Sequence, residues 1–257
     1  MPIFSTPAIV LRRSAYGDFD LIVTLLSLSS GKLTVIAKNA RKSRKRFPGQ
    51  LELFSLIHME CRSPRRSGMT VLQEAELENP FAGIRAHIMK TAYASFWAEL
   101  IHIWLEEGKA QARIYHLLRY CLDVLDSGII PSEELSVFFQ LRFLSYSGLS
   151  PNLSQCQRCH VRLDDIKSGP LFFELAKGGI LCQGCSSNRS SCVNLSKGTL
   201  KQLLWVQEND LKTAARLKFS ATALMDGLQF LEKFVVFHIG KEPKSLKFLR
   251  NLRSHIS

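Results

Sequence analysis

A chain of 257 residues, 46% hydrophobic and 22% charged, is long and apolar enough to bury a core, in one large domain or two to three small ones. Its 34 Lys and Arg against 22 Asp and Glu leave a net charge of +12, which points to a polyanion as partner, an acidic membrane surface being the other candidate. There is no apolar run of bilayer-crossing length, no cationic secretory signal in Met1-Pro2-Ile3-Phe4-Ser5-Thr6-Pro7, and an odd seven cysteines rather than a disulfide framework, so a cytoplasmic protein in a reducing compartment is expected.

Residues 7 to about 78 read as five short strands, at 8–12, 21–26, 33–37, 53–61 and 70–77, rich in Val, Ile, Leu and Thr. Gly17-Asp18, Ser29-Ser30-Gly31 and Ser67-Gly68 supply turns between them. Such a strand count suits a small closed barrel of the OB-fold type, and an SH3-like barrel has a similar one. Directly after the third strand, Lys38-Asn39-Ala40-Arg41-Lys42-Ser43-Arg44-Lys45-Arg46 carries six cations in nine residues and no acid. A run of this kind repels itself and should form an extended loop beside the barrel, where cations can follow a nucleic-acid backbone; the plain alternative is a solvated loop. Arg12 and Arg13, and Arg62, Arg65 and Arg66 in the next connection, could extend the same field. Contacts of this type touch phosphates and are insensitive to base sequence.

After Asn79-Pro80 the period becomes helical. Ile84, Ile88, Ala92, Phe96, Leu100 and Trp104 form one stripe, and Ile114, Leu117, Leu118, Cys121, Leu122 and Leu125 a second that ends at Gly128. Pro131-Ser132-Glu133-Glu134 starts a third helix, stopped by Gly148. The helical spacing of Phe96, Trp97, Trp104, Phe138, Phe139 and Phe143 assigns these rings to core packing rather than to base stacking. Helical patterning resumes at 199–207 and 220–238, and a basic amphipathic helix with Lys244, Lys247, Arg250 and Arg253 closes the chain.

Between these helices stand Cys156-x2-Cys159 and Cys182-x2-Cys185, two pairs that can close four thiolates around one structural zinc ion, although the twenty-two residues between them go a little beyond the range for a ribbon-type site. Gly169, Pro170, Gly178 and Gly179 lie between the pairs and allow the chain to reverse. Free thiols packed as small hydrophobes are the bland alternative, and Cys192 is near enough in sequence to compete for the metal. A closed four-thiolate site leaves no position for water, so the ion should fold the insertion rather than catalyse. His58-Met59-Glu60 loosely imitates a zinc-deaminase signature, but residue 155 is Gln where that pattern has Pro, and the reading would leave Cys182 and Cys185 idle. Nor is there a Gly-x4-Gly-Lys-Ser/Thr loop for nucleotide hydrolysis. The expected architecture is α+β and multi-domain: an OB-fold barrel over 1–79, then a helical domain over 80–257 interrupted at 150–192 by the cysteine element.

The order and spacing of several short pieces resemble the RecO family of bacterial recombination mediators. They are Ala8-Ile9-Val10-Leu11-Arg12, Tyr16-Gly17-Asp18-Phe19-Asp20, Gly31-Lys32-Leu33, Ala37-Lys38, Ala40-Arg41-Lys42 and Glu74-Ala75-Glu76-Leu77, followed by Phe173, Gly178-Gly179-Ile180-Leu181-Cys182, His238-Ile239-Gly240, Lys244-Ser245 and Phe248-Leu249. Asn39 stands where that family often has Gly, and Leu53 where Pro is common. The resemblance implies a protein that is not an enzyme. It would bind single- and double-stranded DNA, associate with the acidic tail of single-strand-binding protein, act with RecR to load RecA, and anneal complementary strands without ATP in the RecF pathway. It also implies zinc on Cys156, Cys159, Cys182 and Cys185. A zinc-containing adaptor that uses its basic surface for acidic protein partners is the competing reading from another class.

Overall fold

In the computed structural model, residues 3–43, 46–64, 68–167, 169–186, 192–214 and 216–256 are described. Five strands, β1 (Ile3–Tyr16), β2 (Asp20–Ser27), β3 (Gly31–Ala37), β4 (Leu56–Arg62) and β5 (Thr70–Asn79), close into a barrel in the order β1-β2-β3-β5-β4. Closure is completed by β1 pairing β4 antiparallel and β3 pairing β5 in parallel, which is the OB arrangement and removes the SH3-like alternative. Strand β1 is long enough to serve two neighbours, with residues 3–9 on β4 and 8–16 on β2. A register shift between Val10 and Arg12 bends it between the two tasks. Ala8, Val10, Val23, Leu25, Val35, Ile57, Met59 and Leu72 fill the interior.

The fourth strand starts later than the sequence pattern predicts. Residues 51–54 are turns, with Phe54 at φ 71°, because Leu51 and Phe54 bury themselves against the barrel while Phe54 N–H donates to the Val10 carbonyl. The first helical stripe is likewise broken. Helix α1 (Ala82–Arg85) ends before α2 (Ile88–Trp104), and Ile88 is 60% exposed rather than on a buried stripe. Asp126 takes the Ile84 N–H and Thr91 donates its hydroxyl to the Ile84 carbonyl, which satisfies the backbone at the break. Helices α3 (Ala112–Ser127), α4 (Ser132–Tyr146), α5 (Lys197–Glu208), α6 (Leu211–Ala214), α7 (Ala221–Ile239) and α8 (Lys244–Ile256) complete the helical set among the described residues. Phe96, Trp97, Phe138, Phe139 and Phe143 are buried, as their spacing predicts, and Trp104 is half-buried.

The chain packs as two compact units. The first takes Met1–Ile129 together with Pro243–Ser257, so the barrel, α1 to α3 and the terminal α8 belong to one body. Leu246 and Leu249 of α8 are fully buried, and Glu99 of α2 accepts from the backbone N–H groups of Lys244 and Ser245 at the start of α8. The second unit, Ile130–Glu242, packs α4 and α5 on α7 and contains a three-stranded sheet, β6 (Leu171–Glu174), β7 (Gly179–Leu181) and β8 (Cys192–Leu195), in the order β7-β6-β8. Phe173 of β6 anchors this sheet edge-on to Phe230 and Phe234 of α7, with ring centroids 4.5 and 5.3 Å apart.

Candidate metal centre and nucleic-acid interface

Each cysteine pair sits on a tight turn whose backbone bonds aim two sulfurs the same way. In the first, His160 N–H donates to the Cys156 carbonyl and His160 adopts φ 59°, while Cys156 N–H donates to the Val161 carbonyl. In the second, Gln183–Cys185 form one 3-10 turn closed by Cys185 N–H on the Cys182 carbonyl. Gln157 N–H to the Ile180 carbonyl and Arg158 to the Cys185 carbonyl tie one turn to the other.

The result brings the Sγ atoms of Cys156, Cys159, Cys182 and Cys185 within 4.8 Å of one another. Cys159 and Cys182 are 3.7 Å apart, close to the edge of about 3.8 Å of a tetrahedron with metal–sulfur bonds near 2.3 Å. Burial disfavours charge on Cys156, yet the N–H groups of Cys159, Cys182 and Arg158 converge on its sulfur and bring its pKa down to about 6. The neighbouring Cys182 and Cys159 sulfurs push Cys185 up to about 12. Four cysteine sulfurs at these separations are a donor set that fits a divalent ion with affinity for thiolates, such as zinc. Cys192 lies on β8 and is not part of this cluster. His58 is on β4, on the Ser5 hydroxyl and near Glu78, and the cluster contains no histidine.

The basic run is stitched to the barrel rather than extended. Asn39 takes φ 56°, a left-handed conformation that asparagine tolerates nearly as well as the glycine common there in the family it resembles. Its N–H donates to Asp20, as does the Lys38 ammonium at 3.1 Å, and the Asn39 bond first and Lys38 after it hold the Asp20 carboxyl below its usual range. Arg41 reaches the Gly17 and Asp18 carbonyls, Lys42 sits 3.4 Å over the Phe19 ring, and Arg46 reaches the Leu72 and Gln73 carbonyls. Carbonyls and one carboxylate thus absorb the mutual repulsion that would otherwise spread the run. Lys38, Arg41, Lys42 and Arg46 remain exposed, as do Arg12 and Arg13, the latter paired with Glu52. Arg44, Lys45, Arg65 and Arg66 lie outside the described residues. Among the groups that sequence reasoning missed are Tyr16 and Phe19, exposed aromatics at the β1–β2 tip beside these cations; the signal that could have found them is their position flanking Gly17-Asp18.

Among the described residues no helix is long and apolar enough to cross a membrane. The family model described as Recombination protein O N terminal matches residues 1–81, and that described as Recombination protein O C terminal matches residues 85–247. The DNA repair protein RecO of Desulfosudis oleivorans is 45% identical over 258 residues, covering 98% of this chain and 99% of that protein. The protein of the same name from Desulfatibacillum aliphaticivorans is 46% identical, covering 98% of each chain, and that from an Anaeromyxobacter species is 33% identical, covering 94% of this chain and 93% of its own. The chain therefore belongs to the RecO family, whose members serve DNA repair and recombination as mediators and not as enzymes.

Proposed function

We propose that this chain anneals complementary single strands and, with RecR, helps load RecA onto DNA coated by single-strand-binding protein. The observation that carries the reading is the row of exposed cations, Lys38, Arg41, Lys42 and Arg46, held on one barrel by its backbone carbonyls, by Asp20 and, for Lys42, by the Phe19 ring. Fixed cations lower the repulsion between two anionic strands, and base pairing supplies the driving force, so no nucleotide is consumed. Arg12, Arg13, Arg44, Lys45, Arg65 and Arg66 belong to the same phosphate-holding set. The acidic tail of single-strand-binding protein is the expected protein partner, and the bacterial cytoplasm at the nucleoid the expected place of work. Zinc on the four cysteines would brace the second unit without touching the annealing step.

The test is annealing of complementary oligonucleotides precoated with single-strand-binding protein, without nucleotide, by wild type and by a variant with Arg41, Lys42, Arg44, Lys45 and Arg46 changed to Ala. The wild type should anneal and bind single strands with steep salt dependence. The variant's slope of log affinity on log salt should flatten by about 0.7 for each phosphate that is no longer neutralised. An unchanged slope would favour an adaptor that docks acidic proteins through this surface.

A further inference from the structure

One end of the barrel carries a depression. Arg13 and Ala15 of β1 lie opposite Val23 and Leu21 of β2, and directly paired residues of an antiparallel ladder share a face. Val23 is a core residue and Leu21 packs against the core, so Arg13 and Ala15 continue the interior face past its last buried layer, where both are exposed. Across from them the segment after β3 lays Ala40, Phe47 and Leu51 on the same core. Between the two sides is a cavity of about 550 Å³ with Leu21, Ala40, Phe47 and Leu51 in its lining and Arg13, Arg41 and Glu52 at its polar positions. That volume falls within the range of roughly 300–1000 Å³ typical of small-molecule sites, and barrel mouths are a usual place for them.

An occupant of this mouth meets a mixed floor, in which Ala40, Phe47 and Leu51 show at most 9% of their surface beside the more open Ala15, Leu21 and Pro48, and it must offer negative charge to the Arg41 side, since Arg13 is already paired with Glu52. Arg41 lines the cavity itself, and Lys38, Lys42 and Arg46 are exposed on the same connection. We propose that the mouth takes one unpaired base of single-stranded DNA, with the flanking phosphates on the Arg41 side. This rests on the reading of the barrel as the element that holds DNA, and adds to it a means of telling strand forms apart. A base in duplex is kept out by its stack and its partner, whereas extrusion from a single strand costs least. Pairing with a complementary strand would withdraw the base, so the annealed product would be held by phosphates alone and released more readily than the substrate.

Ala15→Trp places an indole in the mouth from an exposed strand position. Binding of a short single strand and of a duplex of equal length is measured by fluorescence anisotropy at several salt concentrations. The proposal expects single-strand affinity to fall roughly tenfold, with duplex affinity and both salt slopes unchanged. An equal fall on both forms, or no fall on either, would overturn it while leaving the barrel as a DNA holder. Failure of wild type to bind either form would overturn the underlying reading as well. A 2-aminopurine in the single strand should also become shielded from acrylamide on binding wild type, and less so on binding Ala15→Trp. A base as open to acrylamide when bound to wild type as when free would also overturn the proposal.

Discussion

At the scale of single residues, His102 shows how the first unit's packing is linked to pH. Burial pushes its pKa below the ordinary 6.5, and the Lys32 ammonium and Arg12 guanidinium push it further the same way. Its Nδ1 is buried without a partner among the described residues, and Lys32 spends its own ammonium on the His102 carbonyl. The folded protein therefore keeps the imidazole neutral to lower pH than the unfolded chain does. Below about pH 6.5 the unfolded chain binds the extra proton, so the stability is whole above that value and declines as pH falls through it. Urea midpoints measured near pH 7.5 and 5.5 should fall with acid in wild type and fall less in His102→Gln. Equal declines in the two proteins would mean that other groups set the acid limit.

At the scale of elements, the terminal helix depends on a residue far away in sequence. Glu99 on α2 accepts from the Lys244 and Ser245 N–H groups and from the Ser245 hydroxyl, which places a carboxylate on the positive end of the α8 dipole. Glu99→Ala should cost about 1–2 kcal/mol in denaturant unfolding and speed amide exchange in α8 before other helices. The period of Leu246, Leu249 and Leu252 is visible in the sequence, and so is the helix. Its partner is not, because no local signal links positions 145 apart. The same contrast runs through the fold. Four cysteines at two x2 spacings and five strands with turn residues between them are local patterns, and both are readable from residues alone. Strands β6, β7 and β8, of four, three and four residues, are too short to show a period and exist because Phe173 is seated between Phe230 and Phe234. The basic run is readable as charge. Its conformation is not, since it is decided by the Gly17, Asp18, Leu72 and Gln73 carbonyls that the barrel brings to it.

At the scale of the whole molecule, net charge and the cysteine cluster are segregated. The first unit has 21 Lys and Arg against 12 Asp and Glu, a net +9 of the total +12, whereas the second has 13 against 10. Most of the attraction for a polyanion thus resides with the barrel, α1 to α3 and α8, and all four clustered cysteines reside in the other body. If the cysteines hold a structural ion as proposed, the two properties should separate on its removal. Zinc content near one per chain, abolished in Cys156→Ser, fixes the starting state. Stripping the metal with a chelator under reducing conditions should lower the melting of the second unit by more than about 10 °C, because metal binding energy is folding energy for a closed thiolate site. The first unit should then melt as a separate, later transition in calorimetry. Binding of single-stranded DNA at a temperature below both transitions should keep its affinity and its salt slope, since no cation on the barrel is disturbed. A fall in affinity that tracks metal removal would instead assign DNA contact to the cysteine element, and the two bodies could no longer be given separate tasks.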